Sequence, residues 1–313
     1  DLIADKQIVI SLSTSGYLRA LQLDSFKRQK RGGRGVTAQT GRAEDNSSLF
    51  LIGRVHQKML LFSNMGKAYF LNCYEIPITG KDSRGKSARA FLPLAENEEI
   101  NAITIFDDFN DKDVLCMVTT KGIIKKSKLD DFKNVKKRGI VALNLSEGDS
   151  LVDVKLADDG QDIFLASRNG NGLRTSLGKM RAMGRTAAGI IGMRLEEDDQ
   201  IIGLAIVHKD SSLAIITSNG YGKRTSYDQF NTKGRGGKGM AYLKVSEKIG
   251  HCVGIASVGP EEEIIVNTSG GMVVRFAAGT LSEQGRTASG VRVIDLNDED
   301  VVTDFGIVPD EEI

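Results

Sequence analysis

The chain of 313 residues carries 42 Lys and Arg against 41 Asp and Glu, so its formal net charge is only +1. The total charge therefore does not indicate a nucleic-acid partner, and the distribution of charge along the chain has to decide. With 35 Gly, four Pro and three scattered Cys, the composition predicts many tight turns and neither a disulfide framework nor a zinc site. Because the chain begins at Asp1 rather than Met, we expect it to be a piece of a longer protein.

Residues 29–35, with the sequence Gln-Lys-Arg-Gly-Gly-Arg-Gly, combine three cations and three glycines in seven residues. Glycine has no Cβ, so its backbone N–H can approach a ligand closely. Arginine adds a planar fork that suits phosphate oxygens. Taken alone, the stretch is equally compatible with a solvated surface loop and with a phosphate-binding loop.

A repeat of about 50 residues runs through the whole chain. Each repeat contains a short apolar run that ends in Ser/Thr-x-x-Gly, at residues 13–16, 63–66, 119–122, 167–170, 217–220 and 268–271. A period of this length is typical of propeller-like arrays. Ser-Gly and Asn-Gly tolerate the positive φ of tight hairpins, so each mark predicts a hairpin turn between two strands.

Each repeat predicts four strands. The first is the apolar run, and the second often carries a cation, at Arg19, Lys126, Arg174, Arg224 and Arg275. A third strand is predicted at positions such as residues 140–145 and 190–195, and an acidic turn leads into a fourth, such as residues 201–207.

Six such units predict an all-β fold, a six-bladed propeller-like ring with four strands per blade, because radial packing protects strand edges. We expect one domain over residues 1–313, with blades at approximately 1–55, 56–106, 107–157, 158–207, 208–258 and 259–313. The sequence leaves open whether the ring is closed and flat or an open spiral, and which strand would close it.

Basic residues recur in the loop before each predicted third strand. These six basic loops are residues 29–35, 81–89, 136–139, 184–189, 233–239 and 285–290. Measured from the turn glycine of the same repeat, the loops end at a distance of 19, 21 (to Ser87), 17, 19, 19 and 19 residues, so they should lie at one place on every blade. Six basic loops around one rim predict a surface that follows a bent duplex.

Residues 29–35 resemble the gyrase A box, Gln-Arg-Arg-Gly-Gly-Lys-Gly, which is the signature of the C-terminal domain of the A-type subunit of DNA gyrase. Only Lys30 and Arg34 depart from that pattern, and both keep the charge. The six repeats, which cover essentially the whole chain, also resemble the six-bladed β-pinwheel of that domain. Box and repeats together make this resemblance specific.

The resemblance implies a domain that binds, bends and wraps duplex DNA with a positive-handed crossing, and presents a segment for strand passage so that gyrase introduces negative supercoils. It implies no catalytic residue, metal or cofactor in this chain. The catalytic tyrosine would lie in the N-terminal breakage-reunion part of the same subunit. The ATPase would lie in the B-type subunit of gyrase, within an A2B2 holoenzyme that needs ATP and Mg²⁺. We expect the isolated domain to be monomeric, without a membrane, in the bacterial cytoplasm and associated with the chromosome.

The predicted DNA-binding residues are the box and the cations that continue it. Arg31 and Arg34 are expected to clamp phosphates. The rest of the box, which adds charge, a neutral amide and close backbone approach, is Lys30, Gln29, Gly32, Gly33 and Gly35. The cations that extend the surface are Arg84, Lys86, Lys137, Arg138, Arg174, Arg185, Arg224, Arg235, Lys238, Arg275 and Arg286. No base-reading element is visible, so recognition should be independent of sequence.

Three alternatives compete with this interpretation. The C-terminal domain of the A-type subunit of topoisomerase IV, which serves substrate selection, typically has fewer blades and a degenerate box. A kelch-like propeller that binds protein would use Trp, and the chain has none. A propeller enzyme would gather its charges at a central pocket. The Gly-rich residues 234–239 precede a predicted strand rather than a helix, which argues against a dinucleotide-binding site. The three His residues lack a metal-ligand spacing, which argues against a metal site.

Overall fold

The computed structural model describes residues 2–37 and 47–310. Within those residues lie 24 β-strands and six short 3-10 helices. In chain order the strands are β1 (Gln7–Ser13), β2 (Tyr17–Gln22), β3 (Val36–Thr37), β4 (Ser47–Arg54), β5 (Lys58–Ser63), β6 (Lys67–Asn72), β7 (Lys86–Ser87), β8 (Ile100–Phe106), β9 (Asp113–Thr119), β10 (Ile123–Lys128), β11 (Ile140–Val141), β12 (Leu151–Asp158), β13 (Asp162–Ser167), β14 (Asn171–Ser176), β15 (Ile190–Ile191), β16 (Ile201–Ile206), β17 (Ser212–Thr217), β18 (Tyr221–Ser226), β19 (Met240–Ala241), β20 (Cys252–Val258), β21 (Glu263–Thr268), β22 (Met272–Ala277), β23 (Val291–Arg292) and β24 (Val302–Val308). The 3-10 helices are Leu23–Ser25, Cys73–Glu75, Ala88–Ala90, Leu129–Phe132, Tyr227–Gln229 and Ala278–Thr280. None of the helices in these described residues has the length and apolar character needed to span a membrane.

The strands form six four-stranded antiparallel sheets, which confirms the predicted six-bladed ring. In each sheet the fourth strand of a repeat lies innermost, followed by the first and the second strands. The outer position belongs to the third strand of a different repeat: β7 completes the sheet of β4, β1 and β2, with Ser87 paired to Tyr17. We number each blade by the repeat that supplies its three inner strands. The expectation that each repeat forms a whole blade is wrong for the outer strand.

The third strands are also much shorter than predicted. Only Ile140–Val141 and Ile190–Ile191 form ladder pairs in the stretches 140–145 and 190–195. Beyond Ile191 the backbone leaves the edge of blade three, and the amides of Gly192 and Met193 donate to the carbonyl of Gly122 at 2.9 and 3.2 Å. The chain turns away there because it must cross from the outer edge of one blade to the inner strand of the next.

The ring is closed, and β3 closes it. Val36 pairs with Val273 and Thr37 with Met272, so a strand from repeat one completes blade six. At the centre, inner strands from all six blades line a channel of about 360 Å³.

The hydrophobic core is divided into six clusters, one at each joint between neighbouring blades. First strands are buried on both faces, as in β17, where all six residues are buried, because each blade packs against two neighbours. The joint between blades one and two holds the largest cluster, with sixteen buried residues. The joint between blades six and one holds the smallest, with eight among the described residues.

Candidate nucleic-acid interface

Each basic loop runs along the outer rim, from the second strand of its own blade to the edge of the preceding blade. The loops end at a glycine with positive φ that lies against a carbonyl oxygen of that preceding blade. A Cβ on Gly35 would collide with the carbonyl of Val273. The corresponding glycines are Gly85, Gly139, Gly189, Gly239 and Gly290. The group that approaches Gly35 closely is therefore the protein backbone. The second loop ends at Gly85, before the end predicted from the sequence, because Ser87 already belongs to β7.

The first basic loop crosses the joint between blades one and six. The amide of Gln29 donates to the carbonyl of Arg275 at 2.8 Å, and the amide of Gly32 donates to the carbonyl of Val293 at 2.8 Å. The Gly33 carbonyl accepts from the amide of Asp295 at 2.9 Å. These three bonds hold the loop flat against the ring and leave its exposed side chains facing solvent.

Arg31 is half-buried, and its Nη1 donates to the carbonyl of Arg292 at 2.8 Å. Three other loop arginines do the same on their own preceding outer strands. Arg185 donates to Val141 at 3.3 Å, Arg235 to Ile191 at 3.3 Å and Arg286 to Ala241 at 2.9 Å. This arginine thus has a role in holding the loop that the sequence did not predict.

Eight of the predicted residues are cations whose side chains lie exposed on the rim. Lys86 is at the start of β7, and the other seven are on the basic loops: Lys30, Arg34, Arg84, Lys137, Arg138, Arg235 and Lys238. Arg34 is 80% exposed and lies 3.7 Å from the carboxylate of Asp295. Arg84 stacks on the ring of Tyr17, with the guanidinium carbon 3.6 Å from the ring centroid. Four loops, in repeats one, two, three and five, therefore present exposed positive charge at equivalent positions.

The structure places Arg174, Arg224 and Arg275 elsewhere, at the joints between blades. Arg275 bonds to Glu263 at 2.7 Å and to the carbonyls of Phe26 and Leu23 at 3.0 and 3.3 Å. The other two make the same kind of contact. Arg174 donates to Asp162 at 2.8 Å and to the carbonyl of Tyr227 at 2.9 Å, and Arg224 donates to the carbonyl of Leu281 at 2.7 Å.

Because these second-strand arginines donate their side-chain N–H groups to neighbouring blades, we assign them to the joints between blades and leave them out of the candidate nucleic-acid interface. Arg19 does the same, since its Nη1 donates to the carbonyls of Lys81 and Ser83 at 3.0 and 2.6 Å. Burial acts to raise the pKa of Glu263, but the hydrogen bonds and charges of Arg275 and Arg28 outweigh it and lower that pKa.

A family model described as "DNA gyrase C-terminal domain, beta-propeller" matches six segments of the chain: residues 7–52, 57–107, 113–158, 161–208, 211–258 and 262–309. The chain belongs to this family. It is 52% identical to the A-type subunit of DNA gyrase from Leptospira biflexa over 308 residues, which is 98% of this chain and 36% of that protein. It is 44% identical to the same subunit from Treponema pallidum over 308 residues, which is 98% of this chain and 38% of that protein. The chain thus spans little more than a third of the length of these relatives.

Solved structures agree with the family. One described as "Structure of DNA gyrase A C-terminal domain" matches with a TM-score of 0.89 and 27% identity, over 97% of this chain and 100% of that one. The C-terminal domain of DNA topoisomerase IV matches with a TM-score of 0.71 and 23% identity, over 98% of this chain and 94% of that one, which is a likeness of fold alone.

Sequence reasoning missed two buried lysines beneath the fourth and sixth basic loops, Lys125 and Lys223, which are 0% and 1% exposed. Each is followed directly by a second cation, Lys126 or Arg224, in a predicted strand. Successive side chains of a strand point to opposite faces, and both faces of each blade are covered. Two adjacent strand cations therefore require that at least one be buried, and that signal was available in the sequence.

Proposed function

We propose that this chain binds, bends and wraps duplex DNA around its outer rim, without reading base sequence. The observation that supports the proposal is that exposed cations occupy equivalent positions on the rim loops of repeats one, two, three and five. Positive charge at equivalent positions of several loops along one curved rim suits the phosphate backbone, which carries its charge at regular intervals.

The stiffness of DNA explains why several loops would be needed. A compact chain of this length has a radius of gyration of roughly 20 Å, so a duplex axis would run at roughly 35 Å from the centre. Bending DNA through half a turn at that radius costs on the order of 13 kcal/mol. Half a turn covers about three blades, so each loop has to offset roughly 4 kcal/mol. A single exposed lysine supplies far less than this.

The loops divide the work between anchoring and contact. Arg31 and Arg235 tie their loops to the preceding outer strand, while Lys30, Arg34 and Lys238 extend into solvent. Loops held by backbone bonds lose little conformational freedom when DNA binds, so more of the electrostatic attraction remains to offset bending.

The relatives are gyrase subunits, and we extend the proposal to their activity. A wrapped segment would be presented by this domain to the N-terminal breakage-reunion part of the same polypeptide for strand passage. With the B-type subunit of gyrase supplying ATP hydrolysis, each cycle would introduce negative supercoils. In this proposal the chain contributes binding and bending, and the chemistry of strand cleavage lies outside it.

Plasmid topology tests the proposal with two charge-matched double variants. Arg34→Ala with Lys238→Ala removes two rim cations, whereas Lys112→Ala with Lys209→Ala removes two exposed lysines from turns outside the basic loops. Relaxing a closed plasmid with the chain bound should trap crossings with wild type and with the control, and few with the rim variant. Duplex affinity should fall steeply with salt, with a log–log slope of about −0.9 per phosphate contacted. A flat salt titration, or equal wrapping by both double variants, would refute it.

A further inference from the structure

Lys125 lies directly beneath the fourth basic loop. It is completely buried, and its Nζ donates to three carbonyl oxygens, at 2.6 Å to Ala142, 2.7 Å to Arg185 and 3.3 Å to Ala187. Two of these acceptors belong to the loop itself. An ammonium group has three N–H donors, so this contact set is complete.

Lys223 makes the same arrangement beneath the sixth basic loop. Its Nζ donates to the carbonyls of Gly285 and Arg286 at 2.9 and 2.8 Å. These two loops share the sequence Gly-Arg-Thr-Ala-x-Gly, at residues 184–189 and 285–290. Beneath the first and fifth loops the corresponding positions hold the buried apolar residues Val274 and Leu173. A buried lysine therefore accompanies one type of loop, in two independent repeats.

Neither ammonium has a carboxylate partner among the ion pairs of residues 2–37 and 47–310. Lys126, the next residue on the same strand, is 3% exposed and bonded to the carboxylate of Asp159. Burial lowers the pKa of Lys125 to about 8, helped by the charge of Arg185, while Asp131 acts weakly in the other direction. Burial also lowers the pKa of Lys223 to about 8, helped by Arg286 and opposed by Cys252.

An uncompensated buried charge is costly, and its field is weakly screened. Both ammonium groups direct that field at loops on the rim. Each carbonyl held by Nζ also points into the protein, where it cannot repel a phosphate. The arrangement makes the loop more attractive to an anion in two ways, through its charge and through the orientation of its backbone.

We propose that Lys125 and Lys223 are positioning residues for DNA, which turn the carbonyls of the fourth and sixth basic loops inward and place positive charge behind the bound phosphates. The proposal rests on the DNA-binding function proposed above. It explains how the two loops with the fewest exposed cations contribute to the rim, since Arg185 and Arg286 are only half-buried contacts of the neighbouring outer strand.

A phosphate beside the loop stabilises the charged form of each lysine, so DNA binding should raise the pKa of both and take up protons near pH 8. Affinity should then fall as pH rises from 7 to 9.5. Ordinary Lys and Arg side chains titrate above this range. Groups that all variants share cancel in the comparison between variants.

The test measures duplex affinity by fluorescence anisotropy from pH 7 to 9.5 at fixed ionic strength. Wild type should lose affinity about fivefold across the range. Lys125→Met with Lys223→Met should bind less tightly at pH 7 and show little further loss. Lys126 is also buried on the same strand, but it bonds to Asp159 rather than to the loop. Lys126→Met should therefore retain the wild-type dependence of affinity on pH.

A double Met variant with a native unfolding transition and the wild-type pH slope would overturn the inference. If that variant does not fold, Lys125→Gln with Lys223→Gln takes its place, since the amide keeps N–H donors for the loop carbonyls and lacks the charge. A wild-type chain with steep salt dependence and no pH dependence also overturns this inference while leaving the proposed function intact. Absence of salt-dependent binding by wild type would instead remove the proposed function itself.

Discussion

The first and fifth basic loops follow the same path over different joints. Gln29 and Lys233 each donate a backbone N–H at 2.8 Å to the backbone carbonyl of a second-strand arginine of the preceding blade, Arg275 and Arg174 respectively. Gly32 donates to the carbonyl of Val293, just beyond β23, at 2.8 Å, and Gly236 donates to the carbonyl of Gly192, just beyond β15, at 2.6 Å. In both cases the acceptor follows the outer strand of the next blade back along the ring. The box-like conformation is therefore not unique to the first loop. Glycine spacing and the loop arginine are sufficient to produce it twice.

The two loops differ in the charges that support them. Beneath the first, Glu263 accepts from both Arg28 and Arg275, at 2.6 and 2.7 Å. Beneath the fifth, Asp162 accepts from Arg174 and from the neutral hydroxyl of Thr232, both at 2.8 Å. The first loop lies at the joint between the first and last blades, where the apolar cluster is the smallest of the six among the described residues. What distinguishes the box is thus its contribution to ring closure.

Replacing the carboxylate beneath each of the two loops with an amide should give the largest difference between them, measured as the free energy of unfolding. Glu263→Gln leaves two arginines without a counter-charge, at a site where the carboxylate is 10% exposed. We expect it to lower the free energy of unfolding by about 3 kcal/mol. Asp162→Asn leaves one arginine, which keeps its bond to the carbonyl of Tyr227, and should cost about 1–2 kcal/mol.

Urea unfolding at neutral pH measures both losses. Equal losses would mean that the ring-closing joint has no special dependence on ionic contacts. Because the pKa of Glu263 is lowered by folding, its contribution should be present above the unfolded value of 4.5 and disappear as pH falls through the folded pKa.

The inner edge of the same joint should respond to pH in the opposite direction. Asp304 lines the central channel and accepts from the amide of Phe50 in blade one at 2.8 Å. Burial by the surrounding protein raises the pKa of Asp304 to about 7, and the nearby charge of Asp153 also raises it. Hydrogen bonds from the amides of Phe305 and Phe50 and the charge of Lys155 lower the pKa, but they do not outweigh burial. The folded state therefore holds a proton that the unfolded chain releases near pH 3.8, and stability should fall as pH rises towards 7.

Comparison with Asp304→Asn isolates this effect. Between pH 5 and 8, wild type should lose roughly 2 kcal/mol more than the variant, after allowance for water in the channel. The matched residue across the ring is Asp153, which accepts from Leu204 at 3.2 Å and lies 3.6 Å from Lys155. Asp153→Asn should keep most of the wild-type pH dependence. Parallel curves for wild type and Asp304→Asn would contradict the assignment.

The sequence predicted the ring because its signals are local. Hairpin glycines, apolar first strands and loop position depend only on neighbouring residues, and all three recur with one period. The pairing partner of Ile140–Val141 could not be predicted, because two apolar residues fit the edge of either neighbouring blade equally well. Only closure of the ring decides that each outer strand moves back by one blade.

Arginine roles were harder to predict than strands. Arg275 and Arg34 are both cations that the sequence predicted to bind DNA, yet one reaches carbonyls across a joint and the other reaches solvent. A strand position gives the face on which a side chain leaves, not the distance to the next blade. The residue pair Lys125 and Lys126 shows that face alternation could have identified a buried cation, although not its acceptors.

A smaller comparison concerns the exposed cation that ends each loop. Arg34 is paired with Asp295, whereas Lys238 has no ion pair among the residues that the structure describes. At the fifth loop, the residue that corresponds to Asp295 is Arg194 of repeat four, whose amide donates to the carbonyl of Gly237 at 2.9 Å. Lys238→Ala should weaken duplex binding about threefold and Arg34→Ala about twofold, because Arg34 must give up a partner before it meets a phosphate.

The smallest expected effect reverses that difference. Asp295→Asn should free Arg34, and with it Arg292, whose guanidinium lies 3.8 Å from the same carboxylate. Removing this acid also removes a negative charge next to the proposed DNA path, so duplex affinity should rise about twofold, and Arg34→Ala should then cost as much as Lys238→Ala. A thermodynamic cycle on duplex binding, built from the two single variants and the double variant, measures the coupling between Arg34 and Asp295. No coupling would mean that an ion pair with 80% and 50% exposed partners is already open in solution, and that the two loops meet DNA with equal charge.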